Sequence, residues 1–192
     1  MKIYNLSFLK LIYPKITFNG SNSNIYITID DGPTETTPYL LEELDKLNMK
    51  ATFFVIGKNV EMYPQYYQMI LEEGHAVGNH SYSHQSVFSL GHKKFIEDVD
   101  RASKLIASNI FRPPYGHISF PVYKKISAFY QIILWSYMTY DFANYNVIKD
   151  KKITANSILV LHDNPKFLKT TILQLNKINA VAQNKRLNFS VL

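Results

Sequence analysis

The sequence predicts an α/β fold in which a parallel, barrel-like sheet carries crossover helices. Short runs of β-branched and aromatic residues alternate along the chain with helical patterns, and this alternation is typical of parallel sheets. Titratable residues follow several of these runs, at the strand ends where α/β folds gather their functional groups. The predicted strands are Ile25–Ile29, Ala51–Ile56, Gln131–Trp135 and Ser157–Leu161.

Five helical segments lie between or after these strands. In the first, Thr37 can cap a helix whose first position is Pro38, and leucines at helical spacing then form an apolar face. Pro64 opens the second, and Gly74 stands where a C-terminal stop is expected. The other three predicted helices are Lys93–Ser108, Phe120–Phe129 and Phe167–Ile178.

Composition limits the class of protein. A chain of 192 residues with 46% hydrophobic content fits one domain with a real core, here residues 25–192 behind an N-terminal extension of residues 1–24. There is no Cys, which excludes a disulfide framework, a thiolate metal site and a Cys nucleophile. The net charge of +6 is spread along the chain as on a solvated surface, with attraction to an anionic polymer, a nucleotide-linked sugar or a membrane as the alternative. No basic run with interleaved aromatics indicates nucleic-acid binding.

The N-terminal segment Met1–Ile16 lacks the features of a secretory signal peptide. Lys10 interrupts its apolar run, and no small-residue cleavage site precedes Gly20. No stretch of the sequence approaches the roughly 20 apolar residues of a membrane span. We therefore expect a cytoplasmic protein, with a short helix on a membrane surface as the open alternative for this segment.

Two adjacent carboxylates close the first strand, and two imidazoles follow at a four-residue spacing. A buried strand does not end in Asp30 and Asp31 for packing reasons, because two like charges raise each other's pKa unless a cation or donor separates them. One carboxylate with His80 and His84 makes a three-ligand hydrolytic zinc site with an open fourth position, and the other carboxylate is then free to act as a base. The i, i+4 spacing predicts that both imidazoles lie on one side of a helical turn.

Four segments together carry a family resemblance. Thr28–Pro33, His80–His84, Arg112–Gly116 and Leu159–His162 resemble, in this order, four of the five motifs of the polysaccharide deacetylases, the NodB-homology domains of carbohydrate esterase family four. The resemblance runs from about residue 25 to residue 163. It implies a distorted (β/α) barrel with fewer than eight strands, and removal of acetyl groups from an N-acetylated glycan or amino sugar.

The resemblance also implies a role for each matching residue. Asp31, His80 and His84 would bind a divalent metal, usually Zn, with Co, Ni, Mn or Fe as alternatives. Asp30 would be the general base, paired with Arg112, and His162 the general acid, whose pKa Asp141 would raise. The backbone N–H of Tyr115 would help to stabilise the oxyanion. The residues expected to contact the sugar are Pro114, Tyr115, Trp135 and Tyr140.

The fourth motif departs from the family pattern. Met138 replaces its first aspartate, and Phe142 stands where a tryptophan is usual. The acid-tuning Asp141 remains, so we expect catalysis to remain while the sugar-contacting wall is altered. A glycan-binding protein without turnover, an O-acetyl esterase, and a non-haem iron oxygenase, which also uses two His and one carboxylate, stay as alternatives.

The sequence gives weaker evidence for a functional role of the remaining histidines and the tyrosines. We expect His75 to pack or bond locally, His92 to be solvated and His117 to lie on the surface. The tyrosines most suited to stack on sugar rings are Tyr82, Tyr115, Tyr137 and Tyr140. The sequence does not establish an oligomeric state.

Overall fold

The computed structural model describes residues 12–143 and 148–192. The strands are β1 (Ile16–Thr17), β2 (Ile25–Asp30), β3 (Thr52–Val55), β4 (Ala76–Asn79), β5 (Ile110–Phe111), β6 (Gln131–Ile133), β7 (Tyr137–Met138), β8 (Ile158–His162) and β9 (Phe189–Ser190). They form a single parallel sheet with the order β1-β6-β5-β4-β3-β2-β8-β7, and β9 pairs in parallel with β2.

The predicted distorted (β/α) barrel is confirmed, but the described residues form nine strands where fewer than eight were expected. The strands β2, β3, β4, β6 and β8 have three or more residues, and the other four have only two. Ile16–Thr17, inside the predicted N-terminal extension, pairs with β6 and so belongs to the same sheet. The segment predicted to contact a membrane falls mainly on residues 1–11, outside the described residues. Within the described ranges, no helix is both long and apolar enough to cross a membrane.

The helices pack around this sheet. The five predicted helical segments all contain a helix, but the third and fourth end earlier than predicted, and the last runs seven residues further because Val181 and Ala182 continue its buried face. Two short helices, Gly57–Met62 and Val87–Leu90, were not predicted. The α-helices are α1 (Thr37–Lys46), α2 (Gly57–Met62), α3 (Pro64–Glu72), α4 (Val87–Leu90), α5 (His92–Ser103), α6 (Phe120–Ile126) and α7 (Leu168–Lys185).

The central strand β2 is buried along its whole length and sorts its side chains onto two faces. Ile25, Ile27 and Ile29 join the large core cluster between the sheet and its helices. Tyr26 points the other way, into a smaller cluster inside the barrel. Because side chains alternate along a strand, Asp30 lies on the same inner face as Tyr26.

Candidate active site

The two adjacent aspartates leave β2 in different directions. Asp30 is the last residue of the strand, is 4% exposed, and points into the barrel. Asp31 has left the strand with a φ of 75°, so its side chain turns away from that of Asp30. This backbone change at one residue gives the two neighbouring carboxylates separate surroundings, and therefore allows them separate roles.

Asp31, His80 and His84 converge at the carboxyl end of the sheet. Oδ1 of Asp31 lies 3.1 Å from Nε2 of His84 and 3.6 Å from Nε2 of His80, and one ligand atom from each residue lies within 4.8 Å of the others. Oδ1 of Asp31 is buried and has no hydrogen-bond partner among the described residues. An unsatisfied buried carboxylate oxygen facing two imidazole nitrogens is the donor arrangement that a divalent metal ion needs.

The tautomer of His80 also fits a metal-binding role for this residue. Its Nδ1 lies 2.7 Å from the carbonyl oxygen of Arg112, to which it donates, and this leaves the lone pair of Nε2 directed at Asp31. Metal-binding histidines commonly fix their ring in this way. Burial lowers the pKa of His80, which favours the neutral imidazole that can bind a metal.

The prediction of a helical turn between His80 and His84 is wrong. The two residues lie in a loop after β4, in which Ser81 and His84 have positive φ values of 65° and 57°. Hydrogen bonds hold this loop. Oδ1 of Asn79 accepts from the N–H of Ser81 at 2.8 Å, and Oγ of Ser81 accepts from the N–H of His84 at 3.1 Å. Asp98 on α5 accepts from the two intervening N–H groups. The imidazoles meet because of this loop geometry rather than a helical repeat.

Arg112 is fully buried beneath Asp30. Its Nη1 donates to Oδ1 of Asp30 at 2.6 Å and to Oγ1 of Thr28 at 2.7 Å, and its other nitrogens donate to the carbonyls of Ile133 and Leu134. Burial lowers the pKa of Arg112, while the charge and hydrogen bond of Asp30 oppose that change. Arginine stays protonated even so, because a guanidinium does not lose its proton in proteins. The structure thus places a fixed positive charge against Asp30.

His162, at the end of β8, is held by Asp141. Its Nδ1 lies 2.8 Å from Oδ1 of Asp141, and its backbone N–H donates to Oδ2 at 2.8 Å. Thr171 donates its hydroxyl to Oδ2 of the same carboxylate at 2.9 Å. Burial alone would lower the pKa of His162, but the hydrogen bond and charge of Asp141, together with the charges of Asp30 and Asp31, outweigh it, so the pKa is raised. The imidazole is therefore biased toward its protonated form, with Nδ1 occupied.

Asp163 is a structural part of the site that the sequence reasoning missed. Its carboxylate accepts hydrogen bonds from the hydroxyls of Thr34, Thr36 and Thr37, and its N–H donates to the carbonyl of Asp30 at 2.8 Å. Burial raises the pKa of Asp163, and the three hydroxyls oppose the rise. These bonds tie the loop that follows Asp31 to the end of β8. The run of threonines directly after the first motif was the available signal.

Gly32 lets this loop pass close to Asp163. A Cβ at Gly32 would lie 2.6 Å from Oδ2 of Asp163, so a side chain there would displace a carboxylate that three threonine hydroxyls hold in place. Glycine at this position therefore lets the loop approach β8 without disturbing that network.

A cleft of about 360 Å³ opens above these groups. Asp30, Asp31, His80, His84 and His162 all line it, so the structure brings together the predicted base, ligands and acid. Its other walls include Tyr115 and Trp135, both predicted, together with Met138 and Phe142, the two residues that depart from the family pattern.

The other predicted sugar contacts lie elsewhere. Pro114 is buried, and its neighbour Pro113 lines the cleft instead. Tyr140 is 49% exposed and lies beside Phe142, outside the set of residues that line the cleft. Asn164 and Phe167 line the cleft and were not predicted.

The three remaining histidines lie outside the cleft. His75 is buried, and its Nδ1 accepts from the N–H of Ala51 at 3.0 Å, so it bonds locally as expected. Burial, with a smaller effect from the charge of Lys50, lowers its pKa to about 4. His92 and His117 are exposed, also as expected.

Comparisons with known proteins agree with this geometry. The polysaccharide deacetylase family matches residues 19–129. A peptidoglycan-N-acetylglucosamine deacetylase of Bacillus cereus is 35% identical over 170 residues, which cover 80% of this chain and 79% of that protein. Chitin deacetylase 1 of Saccharomyces cerevisiae is 36% identical over 121 residues, covering 59% of this chain and 39% of that protein.

Solved structures show the same fold. The crystal structure of a peptidoglycan N-acetylglucosamine deacetylase in complex with 4-naphthalen-1-yl-N-oxidanyl-benzamide superposes with a TM-score of 0.85 at 27% identity, covering 98% of this chain and 95% of that one. Some curated relatives are much longer: the chain spans 49% of another Bacillus cereus deacetylase and 34% of PgdA from Listeria monocytogenes. The family match and the aligned relatives agree, and the chain belongs to the polysaccharide deacetylase family.

Proposed function

We propose that this protein is a metal-dependent hydrolase that removes N-acetyl groups from N-acetylated amino sugars in a glycan. The observation that carries the proposal is the arrangement in one cleft of Asp31, His80 and His84 around an unsatisfied carboxylate oxygen, with Asp30 and His162 on the same cleft. The named activities of the relatives, on peptidoglycan and on chitin, favour a polymer that contains N-acetylglucosamine.

The metal ligands would be Asp31, His80 and His84. Two imidazoles and one carboxylate match the three-ligand sites of hydrolytic zinc, and Co, Ni, Mn or Fe can occupy similar sets. A bound divalent ion would supply Lewis-acid polarisation of the acetyl carbonyl and would make a nearby water easier to deprotonate. Before any metal binds, the buried oxygen of Asp31 lacks a partner, so metal binding would satisfy it.

Asp30 and His162 would move the protons. Asp30 would take a proton from the water that attacks the acetyl carbonyl, because it lines the cleft and Nη1 of Arg112 fixes its Oδ1 in place. His162 would donate a proton to the leaving sugar nitrogen, since its pKa is raised and Asp141 occupies its Nδ1. The backbone N–H of Tyr115 would donate to the oxyanion, and the side chains of Tyr115 and Trp135 would form walls for the sugar.

The test is acetate release from N-acetylglucosamine oligomers with added zinc or cobalt, comparing the wild type with Asp30→Asn. We expect the substitution to lower kcat by roughly 10²–10⁴-fold, the usual effect of losing a general base. The matched control is Asp100→Asn, which makes the same chemical change at an exposed position on α5 and should keep full activity. Wild-type rates in Asp30→Asn would contradict the proposed mechanism.

A second candidate is glycan binding without turnover, or turnover of O-acetyl esters. Met138 and Phe142 favour it, because both line the cleft where the family pattern has other residues. Binding of an N-acetylated oligomer without acetate release, by protein shown to contain one metal ion per chain, would support the binding function. Acetate release from O-acetylated sugars alone would support the esterase.

A further inference from the structure

A row of aromatic rings runs from the candidate metal site out over the surface. The ring centroids are 4.8 Å apart from His84 to Tyr115, 5.8 Å from Tyr115 to His117 and 5.4 Å from His117 to Phe88. His84 lines the cleft, so the row is continuous with it. We call Tyr115, His117 and Phe88 the aromatic row.

The rings of this row are open to solvent to a degree that core packing does not explain. Phe88 is 71% exposed and Tyr115 is 61% exposed, and His117 is exposed between them. Contiguous exposed apolar groups next to a binding cleft commonly mark an interaction surface.

The backbone under the row is firmly held. Phe88 lies on α4, which Ser86 caps through a hydrogen bond from the N–H of Ser89 and which Val87 anchors in the core at 1% exposure. Tyr115 and His117 follow Arg112 in a short 3-10 turn, where the N–H of His117 donates to the carbonyl of Pro114. The aromatic row is therefore presented on a fixed backbone, which reduces the entropy cost of binding.

Two of the tyrosines that the sequence suggested for stacking, Tyr82 and Tyr137, are half-buried and bonded to other residues. The guanidinium of Arg101 covers the ring of Tyr82 at 3.5 Å, and the hydroxyl of Tyr82 donates to Glu61 at 2.7 Å. The hydroxyl of Tyr137 accepts from the backbone of Lys149. Of the four tyrosines that the sequence suggested for stacking, Tyr115 is the one that lines the cleft, and its ring leads on to those of His117 and Phe88. Tyr140 is exposed beside Phe142 but lies outside the cleft lining.

We propose that the aromatic row binds the sugar units that extend from the acetylated residue, and that it gives the protein a preference for glycan chains over short fragments. The inference rests on the proposed function for the position of the acetylated sugar. Pyranose rings have apolar C–H faces that pack on aromatic rings, and amphipathic rings such as Tyr and His can also hydrogen-bond the hydroxyls at the edges. A row of rings leading out of the cleft thus suits an extended polysaccharide.

The experiment compares kcat/KM on the disaccharide and the hexasaccharide of N-acetylglucosamine in Phe88→Ala, His117→Ala and the double variant. We expect the ratio of hexasaccharide to disaccharide kcat/KM to fall about tenfold in the double variant, since each lost aromatic contact costs up to a comparable factor. Phe129→Ala is the matched control. Phe129 is 73% exposed but precedes β6, at the opposite end of the sheet from the cleft, and its loss should leave the ratio unchanged.

A ratio unchanged in the double variant would overturn the proposal, as would an equal fall for Phe129→Ala. If the wild type releases no acetate from either sugar, the proposed function fails. Calorimetry of hexasaccharide binding then tests the aromatic row independently of turnover. Hexasaccharide binding that weakens about tenfold in the double variant would then support the row, and undiminished binding, or none to the wild type, would contradict it. A thermal melt of each variant shows whether it is folded.

Discussion

Nη1 of Arg112 lies 2.6 Å from Oδ1 of Asp30, and the two side chains are 0% and 6% exposed. Arg112 is thus an ion-pair partner buried inside the barrel, with the backbone carbonyls of Ile133 and Leu134 accepting its remaining donors. A buried pair of this kind is costly to break, because removal of one partner leaves the other as an uncompensated charge. The pair therefore links the charge of the proposed base to the stability of the barrel.

The first prediction concerns this pair. Arg112→Met should destabilise the protein by about 3–5 kcal/mol, because Asp30 is left charged and unpaired in a buried position. Urea denaturation at neutral pH measures the change. The double variant Asp30→Asn with Arg112→Met should recover part of the lost stability but none of the activity. A single variant as stable as the wild type would show that Asp30 does not depend on Arg112.

The second prediction concerns the pH dependence of activity. Asp141 raises the pKa of His162, and a general acid works only while protonated, so activity is lost as pH rises through that pKa. Asp141→Asn removes the charge, lowers the pKa of His162 and should move the alkaline limb of the kcat/KM profile to lower pH. The profile of acetate release against pH measures the shift.

Thr171→Val is the control for this shift. It removes one hydrogen bond to Oδ2 of Asp141 but leaves the charge of the carboxylate in place. The alkaline limb should therefore move much less than in Asp141→Asn. If the alkaline limb of the kcat/KM profile does not move in Asp141→Asn, His162 is not the general acid whose titration the profile reports.

The third prediction concerns stability in acid. Buried His75 has a pKa of about 4, against 6.5 in the unfolded chain, because burial and, to a smaller extent, the charge of Lys50 disfavour its protonated form. Between these values the unfolded chain binds a proton that the folded chain does not, so stability is complete above pH 6.5 and falls as pH drops toward 4. The loss should reach about 3 kcal/mol, at 1.36 kcal/mol for each pKa unit.

His75→Asn tests this, because the amide oxygen can accept the same hydrogen bond but does not titrate. Chemical denaturation at several pH values should show a shallower decline for His75→Asn than for the wild type. The same change at exposed His92 should leave the decline as it is. Parallel curves for the wild type and His75→Asn would exclude His75 as the cause.

Much of the fold follows from local sequence patterns. The β-branched run at Ile25–Ile29 forms a strand, and helices begin at Pro64 and within one residue of Pro38, as predicted. The predicted cap is wrong by one residue, because Thr37 is the first residue of its helix and Thr36 is the N-cap, without a side-chain capping bond. Helix ends were less accurate. The segment predicted as Lys93–Ser108 stops at Ser103, where the N–H groups that follow fold back onto the carbonyls of Arg101 and Ala102. The residue at which such a helix ends depends on tertiary packing, and the local sequence pattern carries no information about that packing.

In the candidate site, too, some features could be predicted from the sequence and others could not. The residue types at Asp30, Asp31, His80 and His84 signalled a metal site, but the helical explanation for the histidine spacing failed because a hydrogen-bonded loop joins them. The run of threonines after the first motif is a local signal for the network around Asp163, but their partner lies 126–129 residues further along the sequence, so the motif alone does not identify it. No local motif identifies Asn164 or Phe167 in the cleft wall either.

Metal stoichiometry tests the central claim most directly. Protein stripped with a chelator and dialysed against Zn²⁺ should retain one ion per chain. The single substitutions Asp31→Ala and His84→Ala should lower that value toward zero, whereas His92→Ala should keep one ion. A wild-type chain that retains no divalent ion, or one whose ion remains after either ligand is removed, would contradict the account.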